Sequence, residues 1–158
     1  MLMKRIVTTI ALAMMSLCAM AQNNGFKRSI ATLQAGEDSH YQIFSYDDNE
    51  GSRGYYLGLG AVSGTETFVL LGNNVNDAAQ SLQAIMALFD APKGDTMEYK
   101  AKLGAKLPEG DAVSCKVKVE SKKQLCFTAK SHSTRIQKSS VKTLLKFLNS
   151  YQKRHPDK

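Results

Sequence analysis

Apolar and polar residues alternate with period two through most of this chain, and twice the period lengthens to that of a helix. The alternating segments predict strands over residues 26–33, 40–46, 54–62 and 66–71, then over 96–103, 113–119, 125–129 and 134–137. The first helical stretch places Val75, Ala78, Ala79, Leu82, Ile85, Met86 and Phe89 on one side. Asn74 stands at its N-cap, and Asp77 complements the dipole of its first turn. Asp90, Ala91 and Pro92 end it, because proline cannot continue the hydrogen-bond ladder. The second helix is expected over 140–153, with Val141, Leu144, Leu145, Leu148 and Tyr151 inward, Ser139 or Ser140 as cap, and Lys153, Arg154 and His155 at its negative end.

These elements read as β-β-β-β-α given twice. The fold class is therefore α+β: antiparallel sheet with two helices on one face, in tandem halves 22–91 and 95–158 of a single domain. Two amphipathic helices need a sheet on which to bury their stripes. The apolar positions of the helices coincide at a constant offset, Val75 with Val141 and Leu82 with Leu148. This order of elements resembles the Whirly and PUR single-stranded nucleic-acid binders. The resemblance implies a sheet that offers basic and aromatic side chains to a strand of nucleic acid.

The first residues follow another logic. Lys4 and Arg5 precede an apolar run of about 15 residues, and Ala19, Met20 and Ala21 form a small-x-small site before polar Gln22. That is the layout of a secretory signal peptide, too short for a bilayer span of roughly 20 residues. The expectation is an exported protein, periplasmic or secreted, cleaved after Ala21, with residues 22–158 as the mature domain. Bulky Leu17 before Cys18 argues against a lipid anchor there.

Charge divides the mature chain. Residues 22–94 carry four basic and eight acidic side chains, and residues 95–158 carry fifteen basic and six acidic, so the halves are net −4 and net +9. An anionic macromolecule suits the second half as a partner, and so does another exported protein. A solubilising lysine surface is the plainer account, since only Arg135 and Arg154 of the fifteen are arginine, the better residue for bidentate recognition.

Two candidate surfaces emerge from strand parity. If Tyr55, Leu57 and Leu59 face the core, then Tyr56, Gly58 and Gly60 face the other way, alongside Phe44 and Tyr46 of the preceding strand. A glycine floor flanked by aromatic rings would accept a sugar ring or another chain. Lys100, Lys102, Lys116, Lys118 and Lys130 alternate away from the apolar residues of their strands and form a candidate anion-binding face. Tyr99 and Phe127 point to the core side, so this face lacks the stacking rings that single-strand binders use.

The remaining chemistry is sparse. Pairing Val117 with Leu125 and Cys115 with Phe127 sends Cys115 and Cys126 to opposite faces, against a disulfide. His40, His132 and His155 are far apart and match no metal-ligand spacing. His40 follows Asp38 and Ser39, and a turn rich in Glu37, Asp38 and Ser39 accounts for that neighbourhood better than a catalytic triad does. Asp47, Asp48, Asn49, Glu50 and Gly51 place glycine at the fifth position rather than the sixth of a calcium loop, and read as a hairpin turn. No catalytic, cofactor or metal motif stands out. The expectation is a non-enzymatic binding or accessory protein. A hydrolase using carboxylates such as Glu98 and Asp111, and a binder of anionic glycan or nucleic acid through the lysine face, are the alternatives.

Overall fold

The computed structural model describes residues 25–37, 39–61, 64–108 and 110–156. The expected signal segment, Cys18 and the cleavage site lie outside them. Eight strands pair in sequence order into one antiparallel sheet: β1 (Gly25–Ala35), β2 (Ser39–Asp48), β3 (Arg53–Ala61), β4 (Glu66–Gly72), β5 (Thr96–Gly104), β6 (Val113–Ser121), β7 (Gln124–Ala129) and β8 (His132–Gln137). Helix α1 (Val75–Ala87) follows β4, and α2 (Lys138–Arg154) follows β8. The fold is α+β, with both helices packed on the sheet.

One face of the sheet and the inward stripes of the helices make a single core. Tyr55, Leu57, Leu59, Val69, Val117, Phe127 and Ile136 meet Leu82 and Ile85 of α1 and Leu144 and Leu148 of α2. Each such side chain contributes about 1.5–3 kcal/mol when fully buried. Ser81 donates to the Leu71 carbonyl at 2.6 Å, fastening α1 to β4, and Gln152 donates to Asn76 at 2.7 Å, joining the helices. The hydroxyl of Tyr41 on β2 donates to the carbonyl of Arg135 on β8 at 2.7 Å. Strands far apart in the pairing order thus touch, so the sheet curls around its core. The opposite face, called open below, carries no helix.

Asn74 caps α1 as expected, its side chain accepting from the Asp77 N–H at 2.8 Å. Past Ala87 the chain tightens into a 3-10 turn, Leu88–Asp90, which buries Phe89. The cap of α2 differs from expectation. The helix starts two residues early, Gln137 is its N-cap, and no side chain caps it. Strand β8 runs straight into the helix, and the Lys138 N–H finds its acceptor on Lys123 of the β6–β7 turn at 2.9 Å. Ser139 and Ser140 fall inside the first turn.

The β6–β7 register is also corrected. Val117 lies opposite Phe127, Val119 opposite Leu125 and Cys115 opposite Ala129, because the turn is tighter and the strand is irregular between Val119 and Ser121. The shift is two residues, so parity survives. Cys115 stays in the core, Cys126 stays on the open face, and both are free thiols.

Candidate functional site

Apolar residues of the open face gather on β2, β3 and β4. Phe44 stacks on Tyr56 with ring centroids 5.6 Å apart and meets Phe68 edge-on at 5.6 Å. Aromatic pairs of this kind add about 0.5–1.5 kcal/mol beyond the area they bury. The Lys27 ammonium stands 4.4 Å from the centroid of the Phe44 ring. Burial lowers the Lys27 pKa from the ordinary lysine value, and the nearby Glu66 carboxylate opposes that shift. Phe44 and Phe68 are fully buried, and β4 is buried on both faces over much of its length.

Gly58 and Gly60 share this face with Phe44, Tyr46 and Tyr56, as parity requires. The floor they make is covered rather than bare. Gln42 and His40, their partners on β2, reach across β3 to Glu66 on β4. His40 Nε2 lies 2.9 Å from Glu66 Oε1, and Gln42 Nε2 donates to Oε2 at 3.1 Å. A Cβ on Gly58 would stand 2.8 Å from Gln42 Cγ, and one on Gly60 would overlap the His40 ring. The glycines are the space through which two side chains pass to a carboxylate that is only 8% exposed. His40 is a strand residue, as the alternating segment 40–46 predicts, and its side chain takes part in this bridge. Gly25 gives similar room to the Tyr46 ring.

A cleft of about 830 Å³ opens beside the aromatic cluster. Tyr46, Tyr56 and Leu70 line it, Asp48 to Ser52 of the β2–β3 turn border it on one side, and Lys102, Pro108 and Gly110 border it on the other. Gly104 ends β5 between Leu107 and Phe68: an added Cβ would press on the Leu107 carbonyl and stand 3.4 Å from the Phe68 ring. The turn on the first side is held by Asp48, whose Oδ1 accepts from the Glu50 and Ser52 N–H groups, both at 2.9 Å. Gly51, at φ +83°, supplies the left-handed residue this turn needs. Asp47 does not join it. It holds Arg53 through two hydrogen bonds, at 2.6 and 3.0 Å, and that guanidinium lowers the Asp47 pKa.

The lysines divide. Lys100 and Lys102 on β5 and Lys116 and Lys118 on β6 share the open face, Lys100 lying opposite Ser114 and Lys116 opposite Glu98. Lys130 is not among them. It lies past the end of β7 with φ +53°, in the turn to β8, where the backbone leaves the pleat that parity assumes. Glu120 and Arg135 pair beyond Lys118, at 2.8 and 3.4 Å, and hydrogen bonds from Gln124 and Arg135 lower the Glu120 pKa. Glu98 sits mid-strand, and Asp111 is exposed in the β5–β6 loop. Among the described residues no group of three His, Cys, Asp or Glu side chains is placed to hold a metal ion. No described helix is long and apolar enough to cross a membrane.

Sequence reasoning placed Phe44, Tyr46 and Tyr56 on one face, where Tyr46 and Tyr56 line the cleft and Phe44 is buried, and it did not foresee Lys27, His40, Gln42 and Glu66 on that face. The available signal was the glycine pair itself, since two glycines on one face of a strand mark something lying over them. No family model, no curated protein and no solved structure matches the chain.

Proposed function

We propose that this chain is an exported, non-enzymatic binding protein whose ligand sits in the open-face cleft. The observation that carries the reading is the cleft itself: about 830 Å³, with Tyr46, Tyr56 and Leu70 among a largely polar lining that includes Asn49, Ser52 and Asn73 and the charged Asp48, Glu50, Arg53 and Lys102. Its volume falls in the range of small-molecule sites, about 300–1,000 Å³, and its lining is more polar than most of them, which suits a hydroxyl-rich ligand. A flat ring edged with hydroxyls, such as a sugar, matches that lining. Both oxygens of Glu66 are engaged by His40 and Gln42, and the register sets Glu98 opposite Lys116 while Asp111 precedes Val113, the partner of Ala101, so Glu98 and Asp111 are not brought together. This favours binding over hydrolysis by paired carboxylates. Export rests on the amino-terminal pattern of charge, apolar run and small-x-small site.

Titration with a panel of neutral oligosaccharides, followed by amide chemical shifts, tests the reading. The expected shifts centre on Gly54, Tyr56, Leu70 and Lys102. Asn73 is exposed at the rim, so Asn73→Trp fills the cleft from outside the core. It should weaken binding at least about tenfold, about 1.4 kcal/mol, with unchanged thermal unfolding. Shifts confined to another surface, undiminished affinity in Asn73→Trp, or no shift with any sugar would each count against the cleft as a sugar site.

A further inference from the structure

The four open-face lysines of β5 and β6 form a line, and we propose that this line is a track for a linear anionic polysaccharide. The register sets the line. Lys102 and Lys100 are alternate residues on β5, and Lys116 and Lys118 are alternate residues on β6. Lys116 lies opposite Glu98, so Lys100 is its diagonal neighbour across the strand pair. Alternate residues on a strand are about 6.7 Å apart, and diagonal neighbours about 7–8 Å. The order Lys102, Lys100, Lys116, Lys118 therefore advances steadily along the strand direction, one cation every 7 Å or so for about 20 Å.

Among the described residues no carboxylate lies within 4.0 Å of any of these four ammonium groups. The acid at the far end of the line, Glu120, is bonded to Arg135 and also feels the charge of Lys118. Lys100, Lys116 and Lys118 are exposed, and Lys102 also borders the cleft. A row of four cations at near-constant pitch, with Glu98 opposite Lys116 as the acid beside it, complements a chain that carries its charges at intervals. A compact anion would engage only one or two of them.

The class of polymer follows from what else the face holds. The open-face positions of β5–β8 carry Lys, Glu, Ser, Thr, Gln, Cys and Arg, and no aromatic ring. Single-stranded nucleic acid is held by stacking on such rings as well as by charge. A carboxylated glycan needs only cations and hydroxyl partners, and Ser114, Thr128 and Ser133 supply hydroxyls on the same face. The choice of a glycan rests on the exported reading above. The track and the cleft take different probes, a polyanion and a neutral sugar, so the two readings fail separately.

The test uses a soluble polyuronate oligomer and two variants of equal net charge. One variant carries Lys100→Gln, Lys102→Gln, Lys116→Gln and Lys118→Gln. The other carries Lys142→Gln, Lys146→Gln, Lys153→Gln and Arg154→Gln, all exposed and on α2, on the other side of the sheet from the track. Wild type and the second variant should bind alike, with affinity falling at least about tenfold between 50 and 200 mM salt as counterions reclaim the lysines. The track variant should bind at least about tenfold more weakly and lose most of that salt dependence. Equal weakening of both variants would make the effect one of net charge and overturn the track. So would no binding by wild type. Tighter binding of an oligothymidylate of the same length would overturn the polysaccharide.

Discussion

Replacing Gly60 by alanine tests whether the bridge from His40 to Glu66 is why a glycine stands there. Gly60 lies opposite His40, and a Cβ would overlap its ring. Its backbone is not in the left-handed region, so alanine meets no torsional penalty there. The ring is about one-third exposed at its outer side, with 38% of the side chain accessible, so it can swing away. The cost is then the bridge rather than the overlap. A hydrogen bond to a charged group contributes about 1.5–3 kcal/mol net, and alanine recovers about 0.5–1 kcal/mol over glycine within a strand. Gly60→Ala should therefore destabilise by about 1–2 kcal/mol. In a His40→Ala background neither overlap nor bridge remains, and the same substitution should stabilise by about 0.5–1 kcal/mol. The coupling between the two sites is the difference, about 2 kcal/mol. Urea midpoints of the four proteins at unchanged m-value measure it. Equal costs in both backgrounds would refute the reasoning, and so would a Gly60→Ala protein more stable than wild type.

Burial raises the Cys115 thiol to about 11 from 9.0. Its raised pKa contributes stability that is fully present below pH 9 and lost as the pH climbs to about 11, because the unfolded thiol ionises first. The stability difference between wild type and Cys115→Ala should shrink over that window by roughly 2–3 kcal/mol, at 1.36 kcal/mol per unit; a constant difference would contradict a protonated thiol in the core. Amino-terminal sequencing of the protein recovered outside the cytoplasm should begin at Gln22, and a start at Cys18, an uncleaved chain or no protein there would count against the proposed export by cleavage after Ala21.

The fold was legible because each element carries its own period. Every strand of the structure begins and ends within two residues of the alternating segment that predicts it, where the residues are described. Asn74 was readable as a cap because its acceptor bonds within its own turn. The start of α2 was not, because its first N–H is satisfied by Lys123, from a turn that reaches it only in the folded sheet. Strand β1 hid a further feature. The pairing slips between Ser29 and Ala31, so Ile30 and Ala31 both lie against the core. Period-two reasoning has no term for an inserted residue.

The site was harder because alternation assigns a side chain to a face but not to a neighbour. Parity placed Gly58, Gly60 and Tyr56 together and separated Cys115 from Cys126, even where the predicted register was off by two, since a shift of two preserves the face. It could not say that His40 and Gln42 cross a whole strand to reach Glu66. That needs the pairing of β2 with β3 and of β3 with β4 at once. The same limit governs the lysines. Four of them share a face by parity alone, but only the register of β5 on β6 turns that shared face into a line with a direction. Moving that register by two residues would place Lys100 directly opposite Lys116, a like-charged cross-strand pair that destabilises a sheet. The observed register sets Lys116 against Glu98 and Lys100 against Ser114. The spacing that keeps the cations from repelling one another is also the spacing that spreads them along the sheet for a polymer to follow.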